Sequence, residues 1–289
     1  MTVFLSEAWL QVMLESGAVS GIVPLLEGVH VGAIRSYGQT RWALFGSWEE
    51  KQAEGLQEIF QQARRAGVYA VGSHFNMARW PAEVVTPLGA EVIDPFGTYC
   101  VNLTQSEETL WRGLHAKHRN VIRRAQESGL EIRSLDWEAF IPVMATTYRK
   151  GGRENPFGEK YLHALRRHMG ETLFAVGVYA QGQLQAGAII PFDRQRGYYL
   201  HGATIADPVL GAANLLHWEI MRMLRNQGVA TYDLGGARRE SDDVRLQGIF
   251  RFKERFGGIF EPCCHWQRVV SGGRYLLFKV VRKIWGGSK

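Results

Sequence analysis

The sequence predicts an α/β (α+β) chain of two related lobes, in which mixed sheets are flanked by helices. Three observations carry that reading. After residue 98 the elements run helices first, then three antiparallel strands, then a strand–helix–strand unit. The first hundred residues give a looser version of the same order, as a degenerate second copy would, although no residue identity accompanies it. Finally, 46% hydrophobic and 21% charged residues over 289 positions is a globular balance, with enough apolar side chain for a substantial core.

In the first lobe, residues 1–97, caps and periodicity define the elements. Ser6 to Glu15 reads as a short helix with a serine N-cap. Gly21 to Leu26, Val29 to Ser36 and Arg41 to Phe45 read as strands parted by glycine-containing turns. From Glu49 to Ala66 a helix gathers Leu56, Ile59, Phe60 and Ala63 on one face and stops at Gly67. Val68 to Gly72 has the apolar run of a buried strand. Trp80 to Leu88 reads as a short helix, with Pro81 in the first turn, where its missing N–H is tolerated.

The second lobe, residues 98–265, opens with a strand from Thr98 to Leu103. Thr104 or Ser106 then caps one long helix reaching Gly129. A short strand, Ile132 to Ser134, precedes helices near Trp137 to Arg149 and Gly158 to His168. The meander follows as Thr172 to Ala180, Gln183 to Pro191 and Gly197 to Ala203. Gly211 to Gln227 is a helix ended by Gly228, Val229 to Leu234 a strand, and Gly235 to Asp243 a polar loop before a helix from Val244 to Arg255. The tail, Tyr275 to Trp285, is apolar and basic. This layout resembles an acyltransferase domain of the GNAT kind.

A net charge of +6 and a pI near 9.3 suit an anionic partner such as nucleic acid, a phosphorylated metabolite or an acidic membrane face, without demanding one. Three cysteines, Cys100, Cys263 and Cys264, are odd in number and include an adjacent pair, so no disulfide framework is expected. There is no His/Cys set at zinc spacing, and no metal is expected. The N-terminus lacks the basic start and apolar run of a signal peptide, and no stretch approaches the ~20 apolar residues of a membrane span, so a cytoplasmic location is expected.

Three segments could carry chemistry. On a continuous helix from Ser106, Arg112, His115, Arg119 and Arg123 form a stripe beside the apolar arc of Trp111, Leu114, His118, Val121, Ile122 and Ala125. Guanidinium forks suit phosphate oxygens; the alternative is a solvated face paired with Glu107, Glu108 and Glu127. The loop before the helix at Gly211 has Gly211 and Ala213 at the spacing of a CoA-pyrophosphate loop, but Pro208 stands where a Gln or Arg belongs and removes a backbone donor. In the third segment, Asp233 ends a strand before Gly235-Gly236, and Lys253 lies between Phe252 and Phe256. A lysine kept partly dry there would stabilise a tetrahedral oxyanion, with Asp233 a base or organiser. The alternatives are a snorkelling surface lysine and a cap or turn aspartate.

Together these segments resemble the Fem family, tRNA-dependent aminoacyltransferases that build peptidoglycan interpeptide bridges. The match rests on Lys117-His-Arg119-Asn-Val-Ile122-Arg123-Arg-Ala125, on Tyr198 to Ala203 with Leu215-Leu-His-Trp218, and on Tyr232-Asp-Leu-Gly-Gly236 with Phe252-Lys253 and Phe256-Gly-Gly258. The resemblance implies two GNAT-like acyltransferase domains, with the tail 266–289 completing the first. It also implies an aminoacyl-tRNA co-substrate and no other cofactor, with an amine of a cell-wall precursor or other acceptor. Lys253 would assist the transferring acyl group with Phe252 beside it. Arg119 and Arg123 would meet phosphates, and Tyr199, His201, Asn214 and Tyr232 become candidate substrate contacts.

The chain departs from the family at Pro208 and Asn214, where many members have Arg and Tyr, and at Asn102, where Asp is common. The tail could also rest on an acidic membrane face, or pack on the first lobe with its basic residues solvated. Two other functions fit the same sequence: an acyl-CoA N-acyltransferase using acetyl-CoA, and a non-catalytic RNA-binding protein.

Overall fold

The computed structural model describes residues 2–26, 29–45, 50–73, 79–150 and 158–285. The chain divides into two compact units, Met1–Gly97 with Pro262–Lys289, and Thr98–Glu261.

In the first unit α1 (Glu7–Glu15) starts where Ser6 Oγ accepts the Trp9 N–H at 3.2 Å. Strands β1 (Gly21–Leu26), β2 (Val29–Ser36) and β3 (Gln39–Leu44) form an antiparallel meander. Helix α2 (Glu50–Arg65) crosses to β4 (Ala70–Ser73), which runs parallel to β3. The expected helix start at Glu49 lies outside the described residues. The expected helix at Trp80 shrinks to α3 (Ala82–Val85) and a 3-10 turn, Thr86–Leu88. Pro81 forces the residue before it towards extended backbone, and Trp80 instead bridges Cys264 as a strand residue.

Strand β5 (Glu91–Asn102) begins well before the expected Thr98. Its first half alternates exposed Glu91, Ile93 and Pro95 with part-buried Val92, Asp94 and Phe96, so Pro95 sits at an outward position rather than ending the strand.

The second unit corrects the single long helix. Ser106 caps α4 (Glu107–Gly113), and a separate α5 (Ala116–Glu127) follows. The break falls at Leu114 and His115, both extended. His115 donates its N–H to Arg255 O at 2.9 Å instead of to a helical carbonyl, while Leu114 is buried in the core. Then come β6 (Glu131–Ser134), α6 (Trp137–Lys150), α7 (Gly158–His168), β7 (Leu173–Ala180) and β8 (Gln183–Pro191).

The third meander strand also divides, into β9 (Arg196–Tyr198) and β10 (His201–Thr204). At the fork, adjacent residues bond to different strands. Tyr199 N–H donates to Asp233 O at 2.8 Å, and Leu200 N–H to Ile189 O at 3.2 Å. Helix α8 (Ala212–Asn226) precedes β11 (Thr231–Ala237), which pairs in parallel with β9, and α9 (Val244–Glu254). The sheet order is β10-β8-β7-β6 in one layer, with β5, β11 and β9 adjacent in another. Leu215, Leu216, Ile220 and Leu224 of α8 join Val176, Val178, Ala186 and Ala188 of β7 and β8 in one core.

A strand absent from the sequence reading, β12 (Ile259–Val269), pairs antiparallel with β4, Gln267 opposite Gly72. It carries Trp266 into the first unit's core, edge-on to Phe60 and Trp80. Helix α10 (Gly272–Trp285) closes the chain.

Candidate active site in the second unit

Helix α9 begins at Asp243, whose carboxylate accepts the Arg245 N–H at 2.8 Å. Its register puts Phe252 and Lys253 inward, and Phe256 is buried just beyond its end. Lys253 is only 8% exposed, and its Nζ donates to Gly236 O at 2.7 Å, at the end of β11. Gly235, next to it, has φ +79°; a Cβ there would lie 3.0 Å from Tyr199 O and 3.5 Å from Lys253 Nζ. Only glycine leaves that space open at that backbone angle.

Beside the lysine stands a packed aromatic group. The His217 ring lies 4.6 Å from Tyr199, 5.6 Å from Phe252 and 4.9 Å from Phe256, and His118 lies 5.2 Å and 4.6 Å from the same two phenylalanines. His217 Nδ1 and Tyr232 Oη share a hydrogen bond at 2.9 Å. Burial, then the positive Lys253 and the neighbouring His118, hold the His217 imidazole down to about 3. His118 is pushed down to about 4 by burial and by Arg255 and His115. Burial raises the Tyr199 and Tyr232 phenols, which stay protonated.

Asp233 is fully buried one strand position from this group. Its Oδ1 lies 2.5 Å from Thr98 Oγ1 and accepts the Gly235 N–H at 2.8 Å, and Oδ2 lies 3.6 Å from Arg196 Nη1. Arg196 Nη1 also reaches Glu261 at 3.1 Å and Cys100 Sγ at 3.4 Å. Burial, with Asp233 nearby, pushes the Cys100 thiol up, which keeps it from acting as a thiolate. The carboxylate thus bridges Thr98, the Gly235 N–H and Arg196.

Of the residues nominated from sequence, the structure brings Lys253, Phe252, Tyr199 and Tyr232 around His217, with Asp233 behind them. Asn214 is half-buried in the first turn of α8, one turn before His217. His201 goes elsewhere: it is buried with its Nε2 3.2 Å from Tyr161 Oη and its Nδ1 3.5 Å from Tyr148 Oη, and burial drops it to about 3.

The arginine stripe is not continuous, because its members sit on two helices. Arg112 pairs with Glu108. Arg119 Nη1 donates to Arg112 O at 3.0 Å and to Leu114 O, closing the C-terminus of α4. Arg123 is exposed, its guanidinium 5.5 Å over the Trp111 ring. Missed from sequence were His217, Thr98 and Arg196. His217 was visible only as the third letter of a helical motif, while Thr98 and Arg196 meet Asp233 from distant strands.

At the start of α8, Gln185 Oε1 accepts the Val209 N–H at 3.0 Å, and a Cβ on Gly211 would lie 2.8 Å from Val121 and 3.0 Å from Ala125 of α5. That turn packs against α5, and two of its backbone donors are spent or, at Pro208, missing. Among the described residues no group of three or more His, Cys, Asp and Glu is placed to hold a metal ion, and no helix is long and apolar enough to cross a membrane.

Set against known proteins, residues 114–254 match the family described as acetyltransferase (GNAT) domain. The crystal structure of FemX superposes with a TM-score of 0.72 at 14% identity, covering 95% of this chain and 94% of that one. The chain has the Fem/GNAT-like acyltransferase fold. Two further likenesses agree. One is the C-terminal domain of a protein assigned as a lysylphosphatidylglycerol synthetase of Agrobacterium fabrum, with a TM-score of 0.55, 15% identity and coverage of 91% and 88%. The other is L-PGS of Bacillus licheniformis, with a TM-score of 0.57, 12% identity and coverage of 90% and 88%. Comparison with curated proteins finds no match. The GNAT-domain match over residues 114–254, on a fold shared with FemX, supports an acyltransferase, and the lysine, aromatic and glycine-turn cluster lies in the second unit.

Proposed function

We propose that the chain moves an aminoacyl group from aminoacyl-tRNA to an amine on a peptidoglycan precursor or related acceptor. The observation that carries this reading is Lys253, a buried cation anchored at the end of a strand against a dry aromatic wall. In the reaction the acceptor nitrogen attacks the ester carbonyl, the N–C bond forms, and the C–O bond to the tRNA ribose breaks. The ribose oxygen leaves with a proton given up by the attacking amine. The carbonyl oxygen is anionic between these events, and a fixed ammonium in low dielectric lowers the energy of that state. The ester is already activated, so positioning and charge stabilisation suffice without ATP.

The geometry at Pro208, Val209 and Gly211 supports aminoacyl-tRNA over an acyl-CoA donor, because a pyrophosphate needs open backbone donors at that turn. The family's description as an acetyltransferase domain favours the acyl-CoA reading, which is therefore tested alongside.

The test supplies labelled aminoacyl-tRNAs with candidate muropeptide amines and, separately, radiolabelled acetyl-CoA. Label passing from tRNA to the amine, slowed about 10²–10³-fold in Lys253→Met, is the expected result. Acetyl transfer or marked thermal stabilisation by acetyl-CoA would replace the reading with the CoA enzyme. Binding of tRNA without transfer from any aminoacyl-tRNA would replace it with an RNA-binding role, and no tRNA binding at low salt would end it.

A further inference from the structure

Helix α10 has two faces with different fates. Tyr275 and Phe278 stack on Tyr69 of the same unit, with centroids 5.9 Å and 4.7 Å away and ring planes within 20° and 14°. Phe278 also lies 6.1 Å from Tyr37. This packing holds the helix in place. Val281 is half-buried, and the other apolar side chains point outward: Leu276 is 61% exposed, Ile284 70% and Trp285 77%, with Leu277 and Val280 also exposed. At about 100° per residue, Leu276, Leu277, Val280 and Ile284 fall on one arc about 100° wide.

Charge selects what covers that arc. The helix sequence carries Arg274, Lys279, Arg282 and Lys283 and no acidic residue. On the helical wheel Lys279 and Lys283 border the arc on the Leu276 side. A second copy of the helix would set the two lysines bordering the arc against two more, with no carboxylate on the helix between them, which disfavours self-association. An anionic bilayer surface meets both needs, taking the apolar arc among its acyl chains and the cations among its phosphates.

We propose that α10 is an interfacial helix that seats the protein on anionic lipid, with Leu276, Val280 and Ile284 inserted and Lys279 and Lys283 at the headgroups. The claim is independent of the transfer chemistry.

The experiment is flotation of the full chain with vesicles of phosphatidylglycerol and phosphatidylcholine in equal parts, and with phosphatidylcholine alone. The expected result is binding to the anionic vesicles, weakened by salt, and little to the neutral ones. Leu276→Glu with Ile284→Glu, and separately Lys279→Glu with Lys283→Glu, each lower partition about tenfold or more, with circular dichroism and Tm unchanged because the side chains are exposed. Failure to bind anionic vesicles, equal binding by the variants, or a solution dimer dispersed by the Leu276→Glu and Ile284→Glu changes would each overturn the proposal.

Discussion

Lys253 Nζ donates to Gly236 O across 2.7 Å, tying the last turns of α9 to the end of β11. The hydrogen bond fixes a side chain that would otherwise sample many rotamers, and burial keeps water from screening its charge. Lys253→Met keeps most of the packing and removes the cation. The expected outcome is a fall in kcat of about 10²–10³, with the KM for aminoacyl-tRNA little changed, measured by transfer kinetics.

Gly235 is held at φ +79° with Tyr199 O close to where a Cβ would stand. Gly235→Ala carries a left-handed penalty of about 1–2 kcal/mol and pushes the Tyr199 carbonyl. Both Tm and activity are expected to fall, and calorimetry together with transfer rates checks it.

Asp233 distinguishes a base from an organiser. Thr98→Val removes a partner from a fully buried carboxylate and costs about 1–3 kcal/mol of stability. Asp233→Asn keeps the shape, and an organiser then retains much of its activity per folded molecule. Loss of activity with an unchanged Tm would instead make Asp233 the base.

Acid weakens the fold through its buried imidazoles. His217 and His201 titrate near 3 and His118 near 4 in the folded chain, against about 6.5 when unfolded. Below 6.5 the unfolded state binds more protons, so this stability is full above that pH and is lost as pH falls towards the folded values. Each group tilts stability by up to about 1.4 kcal/mol per pH unit in that window. Tm measured at pH 7, 6 and 5 is expected to fall with increasing steepness, and His201→Asn to flatten the curve.

Arg119 and Arg123 separate by role despite their similar spacing. Arg123→Ala is expected to weaken tRNA binding and lower its salt slope by about one, since that side chain is exposed. Arg119→Ala uncaps α4 and is expected to lower Tm instead.

Much of the fold was legible because local signals agreed with tertiary packing. Ser6, Ser106 and Asp243 cap helices where side-chain chemistry places them, and the meander over β7 and β8 follows its turn residues. The misreadings arose where a distant partner decided. His115 breaks the long helix because Arg255 O takes its N–H, and the fork at Tyr199 exists because Asp233 O and Ile189 O compete for neighbouring donors. Strand β12 was hidden by Pro262 and by burial that does not alternate. Within the site, Lys253 and Asp233 were legible as types in a motif. Thr98 and Arg196 were not, because their meaning comes from strands far apart in the chain.

Strand β12 delivers Trp266 and Cys264 to the first unit's core from the far end of the chain. During synthesis the N-terminal segment therefore leaves the ribosome without its central tryptophan, and β4 lacks its partner on that side. At about 5–20 residues per second the wait lasts roughly ten to thirty seconds, while the whole second unit emerges. The unit begun first is therefore completed last.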